Sequence, residues 1–215
     1  KHFHVEHDPN LSDAETEASK HAATQPEVPP TAEEMEAQGR EIARYGYGID
    51  SVRRLPGNVG YLEVRGFGPT EFVAEPMSAA MTLLSGTDAL ILDLRRNGGG
   101  EPSSVAYLMS HFFALGDERH LNDLYYRKTD STRQYWTTAA VPTRYLKPVY
   151  VLTSARTFSG GEECAYDFQT QKRATLVGET TGGGANPGAF YPLARGFAAF
   201  IPEGRAINPI TGTSW

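Results

Sequence analysis

Cysteine is almost missing. Cys164 is the single one in 215 residues, so no intramolecular disulfide framework holds the chain together. That scarcity leaves the redox compartment open, because exported domains of this size often do without disulfides. A basic excess is missing too. The net charge is −6, which argues against a nucleic-acid binder held by phosphate contacts. No run of about 18 apolar residues occurs, so no membrane-spanning helix is expected. No export leader stands at the start. The chain opens on Lys1 rather than Met, which leaves room for a leader already removed. What is present, 40% hydrophobic residues in a chain of this length, suffices to bury a core without covalent staples.

The chain divides at about residue 45. Residues 8–30 have hardly any large apolar side chains and end in Val28-Pro29-Pro30, which predicts a solvated linker. A helix follows from Thr31, where Thr31-x-x-Glu34 fits a capping box. These pieces form an N-terminal segment, 1–45, and 46–215 reads as an α/β core domain. Strands are predicted at Ile49 to Leu55 and Val59 to Val64, around a Pro56-Gly57-Asn58 turn. Helices are predicted at 70–84, 103–114 and 160–171. Short apolar runs at 88–93, 148–153 and 174–177 carry the signature of buried parallel strands. Residues 121–137 and 189–202 predict hairpins. Strand–helix–strand alternation implies an α/β fold with right-handed crossovers and a mostly parallel sheet flanked by helices.

Four segments carry candidate chemistry. Asn97-Gly98-Gly99-Gly100 sits between a strand and a helix, where glycines present backbone N–H groups to an anion or serve as a plain turn. It lacks the Lys-Ser/Thr pair of a nucleotide-binding loop. Thr157-Phe158-Ser159-Gly160-Gly161-Glu162 follows a strand and opens a helix. There Ser159 serves either as N-cap, with Glu162 completing a capping box, or as a nucleophile near free N–H groups. The pattern is not the Gly-x-Ser-x-Gly elbow, because Thr157 stands where that motif begins. A third segment, Gly178 to Pro187, is another glycine loop after a strand. The fourth is His2-Phe3-His4-x-x-His7-Asp8. Its spacing resembles the metal-binding signature of metallo-β-lactamase-like hydrolases, although Glu6 replaces an Asp and an acidic linker follows. It reads equally as a strand in which Phe3 and Val5 alternate with polar residues.

Five stretches in order resemble one superfamily, the tail-specific (C-terminal processing) and tricorn-core serine proteases. They are GNVGYLEVRGF (57–67), ALILDLRRNGGG (89–100), PVYVLTSARTFSGGEECAY (148–166), RATLVGETTGGGANPG (173–188) and IPEGRAINPITGTSW (201–215). The branch named for interphotoreceptor retinoid-binding protein is the most similar. The resemblance implies a crotonase/ClpP-like layered fold and a serine-type peptidase acting on peptide or protein substrates, with no cofactor and no metal. It implies that Ser159 is the nucleophile. The processing branch pairs its serine with a lysine at the place of Gly184 here, so a serine–lysine dyad is excluded. The tricorn-like branch uses a histidine, which maps onto His2, with His4 as the fallback. Gly160 with Gly99 or Gly100 would form the oxyanion hole. An orienting glutamate is expected just after Trp215, so the chain is expected to be a fragment, catalytically incomplete as it stands. The family's habits imply a periplasmic or extracellular location and leave oligomerisation open. A second reading is a non-catalytic module for apolar ligands, since the branch's namesake carries retinoids and fatty acids. The histidine cluster supplies a third, a metallohydrolase.

Overall fold

The structure, a computed structural model, describes residues 3–7, 29–193 and 195–215. The predicted linker therefore lies almost wholly outside the described residues, as does His2.

Eleven strands and four α-helices are described. The strands are β1 (His4–His7), β2 (Ile49–Leu55), β3 (Val59–Val64), β4 (Ala89–Asp93), β5 (His120–Tyr126), β6 (Ser131–Trp136), β7 (Val149–Thr153), β8 (Thr175–Gly178), β9 (Gly188–Pro192), β10 (Phe197–Pro202) and β11 (Gly204–Ile207). The helices are α1 (Ala32–Arg44), α2 (Thr70–Leu84), α3 (Pro102–Ser110) and α4 (Gly160–Thr170). The central sheet has the order β2-β3-β4-β7-β8. Four of its strands run parallel, and β2 joins β3 antiparallel through the predicted turn. Two antiparallel sheets flank it, β11-β5-β6 and β1-β10-β9.

The main core lies where α2, α3 and α4 pack on the central sheet. Leu62, Val64, Leu90, Leu92, Val149 and Val151 of the strands meet Met77, Met81, Leu108, Met109 and Phe168 of the helices. Burying each such side chain contributes about 1.5–3 kcal/mol, which is why the apolar runs locate the core. The runs at 149–153 and 174–177 are nevertheless buried on one face only. Tyr150 on β7 and Val177 on the edge strand β8 remain 43% and 48% exposed. The capping box at Thr31 forms as expected, with the Thr31 N–H donating to Glu34 at 2.7 Å. The strand β11 was not anticipated. Its GRAI sequence is too short and too polar to signal a strand, and it exists by pairing with β5.

This topology aims three loops at one place. The loops after β4, β7 and β8 all leave the carboxyl ends of neighbouring parallel strands, where open α/β sheets put their ligand sites.

Candidate active site

Ser159 opens α4 at the end of the loop that follows β7. Its φ of 50° and ψ of −121° put a non-glycine residue in a region that costs about 1–3 kcal/mol. Strain of this kind persists only where the surroundings hold it, and three contacts do so. The Thr157 hydroxyl donates to the Leu94 carbonyl at 2.7 Å, and the Phe158 N–H donates to the Asn97 carbonyl at 3.0 Å. The Gly182 N–H donates to the Thr157 carbonyl at 3.0 Å. Ser159 therefore sits on a sharp strand-to-helix turn like that of a nucleophile elbow, although its sequence is not the elbow motif.

The expected capping box is unequal at this helix. The Glu162 carboxylate accepts the Ser159 N–H at 2.9 Å, whereas the Glu162 N–H donates to the Ser159 carbonyl at 2.8 Å. The Ser159 hydroxyl faces the Glu162 N–H as the other half of the box, but makes no regular side-chain cap hydrogen bond. Glu162 also accepts the Gly183 and Gly184 N–H groups at 2.6 and 2.7 Å. One buried carboxylate thus joins the serine turn to the glycine loop after β8.

The Asn97–Gly100 turn lies against the serine. A Cβ built on Gly99 would stand 2.7 Å from the Ser159 Cβ, and Gly99 has a φ of +104°, so only glycine fits there. Asn97 organises the turn from a fully buried position. Its side chain accepts the Gly99 N–H at 2.8 Å and donates to the Val64 carbonyl at 3.0 Å. Of the two glycines considered for the oxyanion hole, Gly99 has therefore committed its N–H. The Gly100 and Gly160 N–H groups donate to no protein acceptor among the described residues, and their backbones adjoin.

The histidine segment is linked to the glycine loop through the β1-β10-β9 sheet. β1 pairs with β10, with His4 opposite Phe200, and β10 pairs with β9. β9 emerges from the Gly182–Pro187 loop that Glu162 holds. His4 stacks on Phe200 and places Nε2 2.9 Å from Glu6. Among the described residues no side chain hydrogen-bonds the Ser159 hydroxyl, and no three potential metal ligands cluster.

A cavity of 120 Å³ opens beside the serine. Gly100, Leu124, Tyr126, Ser159, Glu163 and Trp215 are among its lining residues. Two carboxyls one turn apart on α4, Glu163 and Asp167, are 2% and 1% exposed. Burial pushes the Glu163 carboxyl up to about 8 and Asp167 upward as well. Asn122 faces Glu163 from a β-bulge in β5, yet neither end of its amide closes a hydrogen bond of good geometry. Sequence reasoning passed over Asn97 and Glu163. The first is one polar residue in a glycine turn, and the second falls in a first helical turn, where acids are ordinary. The available signal was the spacing of Glu163 and Asp167 about Cys164 and Phe168, which puts both acids on the buried side of α4.

Residues 58–213 match the family model of peptidase family S41. Among solved structures, the chain is similar to the photosystem II D1 C-terminal processing protease, with 23% identity over 78% of this chain and 43% of that one, at a TM-score of 0.58. It is similar to a lipoprotein from Streptococcus agalactiae, with 16% identity over 100% and 68% of the two chains and a TM-score of 0.57. Mature CPAF complexed with lactacystin gives 15% identity over 77% and 47%, with a TM-score of 0.61. These three share its fold. The chain spans less than half the length of the D1 protease and of CPAF.

Proposed function

We propose, from the premise that the chain belongs to peptidase family S41, that it supplies the core of a serine peptidase with Ser159 as nucleophile. One observation carries this. The Ser159 hydroxyl stands on a strained turn at the start of a helix, without a regular side-chain cap hydrogen bond, with the uncommitted N–H groups of Gly100 and Gly160 beside it. A peptide carbonyl attacked by that hydroxyl would develop its negative charge toward those donors. Each such donor is worth about 3 kcal/mol in the transition state, and the positive end of α4 adds to them.

In this reading His2 takes the Ser159 proton and later returns it to the leaving amine. The acyl-enzyme that remains is released by water. His4, the first residue of β1, is the fallback base. Thr-Phe-Ser-Gly-Gly-Glu-Glu, with no lysine near Gly184, supports the branch named for interphotoreceptor retinoid-binding protein. Export to the periplasm or the exterior belongs to the same reading, and cell fractionation tests it. A hollow of 530 Å³ between α1 and β2 is lined by Arg44, Asp50 and Arg65, which suits an apolar ligand poorly.

The test is hydrolysis of an unbiased peptide mixture by the full-length protein, beside its Ser159→Ala and His2→Ala variants. Ser159→Ala should lower kcat by on the order of 10⁴-fold or more, and His2→Ala should act comparably. A full-length protein that cleaves nothing, or variants that cleave as well as the parent, would sink the reading.

A further inference from the structure

The 120 Å³ cavity beside Ser159 contains more than an apolar hole requires. Leu124, Ala185 and the Trp215 ring make its apolar wall, and Glu163 adds a carboxyl. Glu163 is 2% exposed, and its closed-off Oε1 makes no hydrogen bond of good geometry although Asn122 faces the carboxyl. A poorly paired buried polar group costs about 1–3 kcal/mol, so such a carboxyl in the wall of a space next to a nucleophile asks what fills that space. The groups around the carboxyl supply no cation. Asp167 and Cys164 lie on its own helix, Asn122 on β5 and Tyr135 on β6. No lysine, arginine or histidine pairs with Glu163 or Asp167 among the described residues. Two acids in that setting share at least one proton, and a protonated carboxyl both donates and accepts a hydrogen bond.

The size of the cavity narrows the occupant. Its volume is that of roughly four water-sized groups, which fits a side chain of three or four heavy atoms. Lysine and arginine are too long, and aspartate or glutamate would bring another acid to a buried acid pair. Valine fits but leaves the carboxyl unpaired. Threonine has the same shape and ends in a hydroxyl that pairs with it.

We propose that this cavity receives the side chain of the residue whose carbonyl Ser159 attacks, and that the Glu163 carboxyl is its specificity-determining group, selecting a small hydroxyl-bearing side chain over its apolar isostere. The proposal rests on the peptidase reading and adds a substrate class to it.

The experiment compares two peptides that differ only in threonine or valine before the scissile bond. The kcat/KM ratio within each protein cancels any loss of folded enzyme. The full-length protein should prefer threonine by ~10-fold or more. Glu163→Leu should bring the ratio close to one, and Glu163→Gln, which keeps a donor and an acceptor, should retain most of it. In parallel, peptides ending in threonine or valine are titrated calorimetrically into the Ser159→Ala protein, with and without Glu163→Leu. Hydrolysis with a ratio indifferent to Glu163→Leu overturns the pocket and leaves the peptidase standing. Absent hydrolysis with Glu163-dependent binding of the threonine peptide overturns the peptidase and leaves the pocket. Absent hydrolysis with no such binding preference overturns both.

Discussion

His111 and Glu163 are both buried ionisable side chains of the same domain, and they are treated differently. His111, at the end of α3, is fully enclosed, with Nδ1 donating to the Thr143 carbonyl at 2.7 Å and Nε2 facing the Ser78 hydroxyl at 3.4 Å. Burial pushes its pKa down to about 4, so it is neutral and paired at both nitrogens. Glu163 is as deeply buried and keeps an unpaired oxygen beside a cavity. The first is what a core does with a polar group it needs for structure. The second is an arrangement that stability alone would remove, which is why it points outward to a ligand.

The comparison breaks most readily at the histidine. His111→Ala removes a packed ring and takes the donor from the Thr143 carbonyl, while Ser78 keeps Tyr107, and should lower stability by about 2–4 kcal/mol in urea unfolding. A loss below about 1 kcal/mol would mean that this network is not structural. Glu163→Leu should behave oppositely, leaving the unfolding midpoint unchanged or raising stability by up to about 1 kcal/mol, since it deletes a desolvated carboxyl. A large destabilisation there would make Glu163 a structural residue. A further check lies in the pH dependence. The Glu163 pKa is raised on folding, so its contribution is present at acid pH and fades as pH rises through about 8. The His111 pKa is lowered, so its contribution is present above about pH 6.5 and fades as pH falls toward 4. In unfolding midpoints from pH 4 to 9, each group changes stability by at most about 1.4 kcal/mol per pH unit, Glu163 downward from about pH 4.5 to 8 and His111 upward from about pH 4 to 6.5, so the two oppose each other on the acid side and the net fall lies between about pH 6.5 and 8. Glu163→Gln should remove that fall and uncover the His111 rise.

Much of the fold was legible because local patterns and global contacts agree. The apolar runs mark β4 and β7, and the Thr31 box marks the start of α1. The same box pattern at Ser159 shows where legibility stops. At Thr31 the glutamate caps its own helix in solvent, and its pKa is lowered by the Thr31 N–H. At Ser159 the glutamate also bonds a loop 21 residues further on. No local pattern encodes that partner. The pairing of β1 with β10 is illegible for the same reason, since almost the whole chain separates them. The Ser159 turn was marked out by a resemblance spread over five stretches, whereas the Asn97 hold on Gly99 and the Glu163 cavity depend on close approaches that only three dimensions reveal.

The Glu162 carboxylate has a dynamic consequence. Three N–H groups from two loops end on its two oxygens, so the Ser159 turn and the Gly183–Gly184 loop cannot open independently. They form one cooperative unit, closed or open together, and thermal fluctuation reaches the serine as a single all-or-none event instead of gradual fraying.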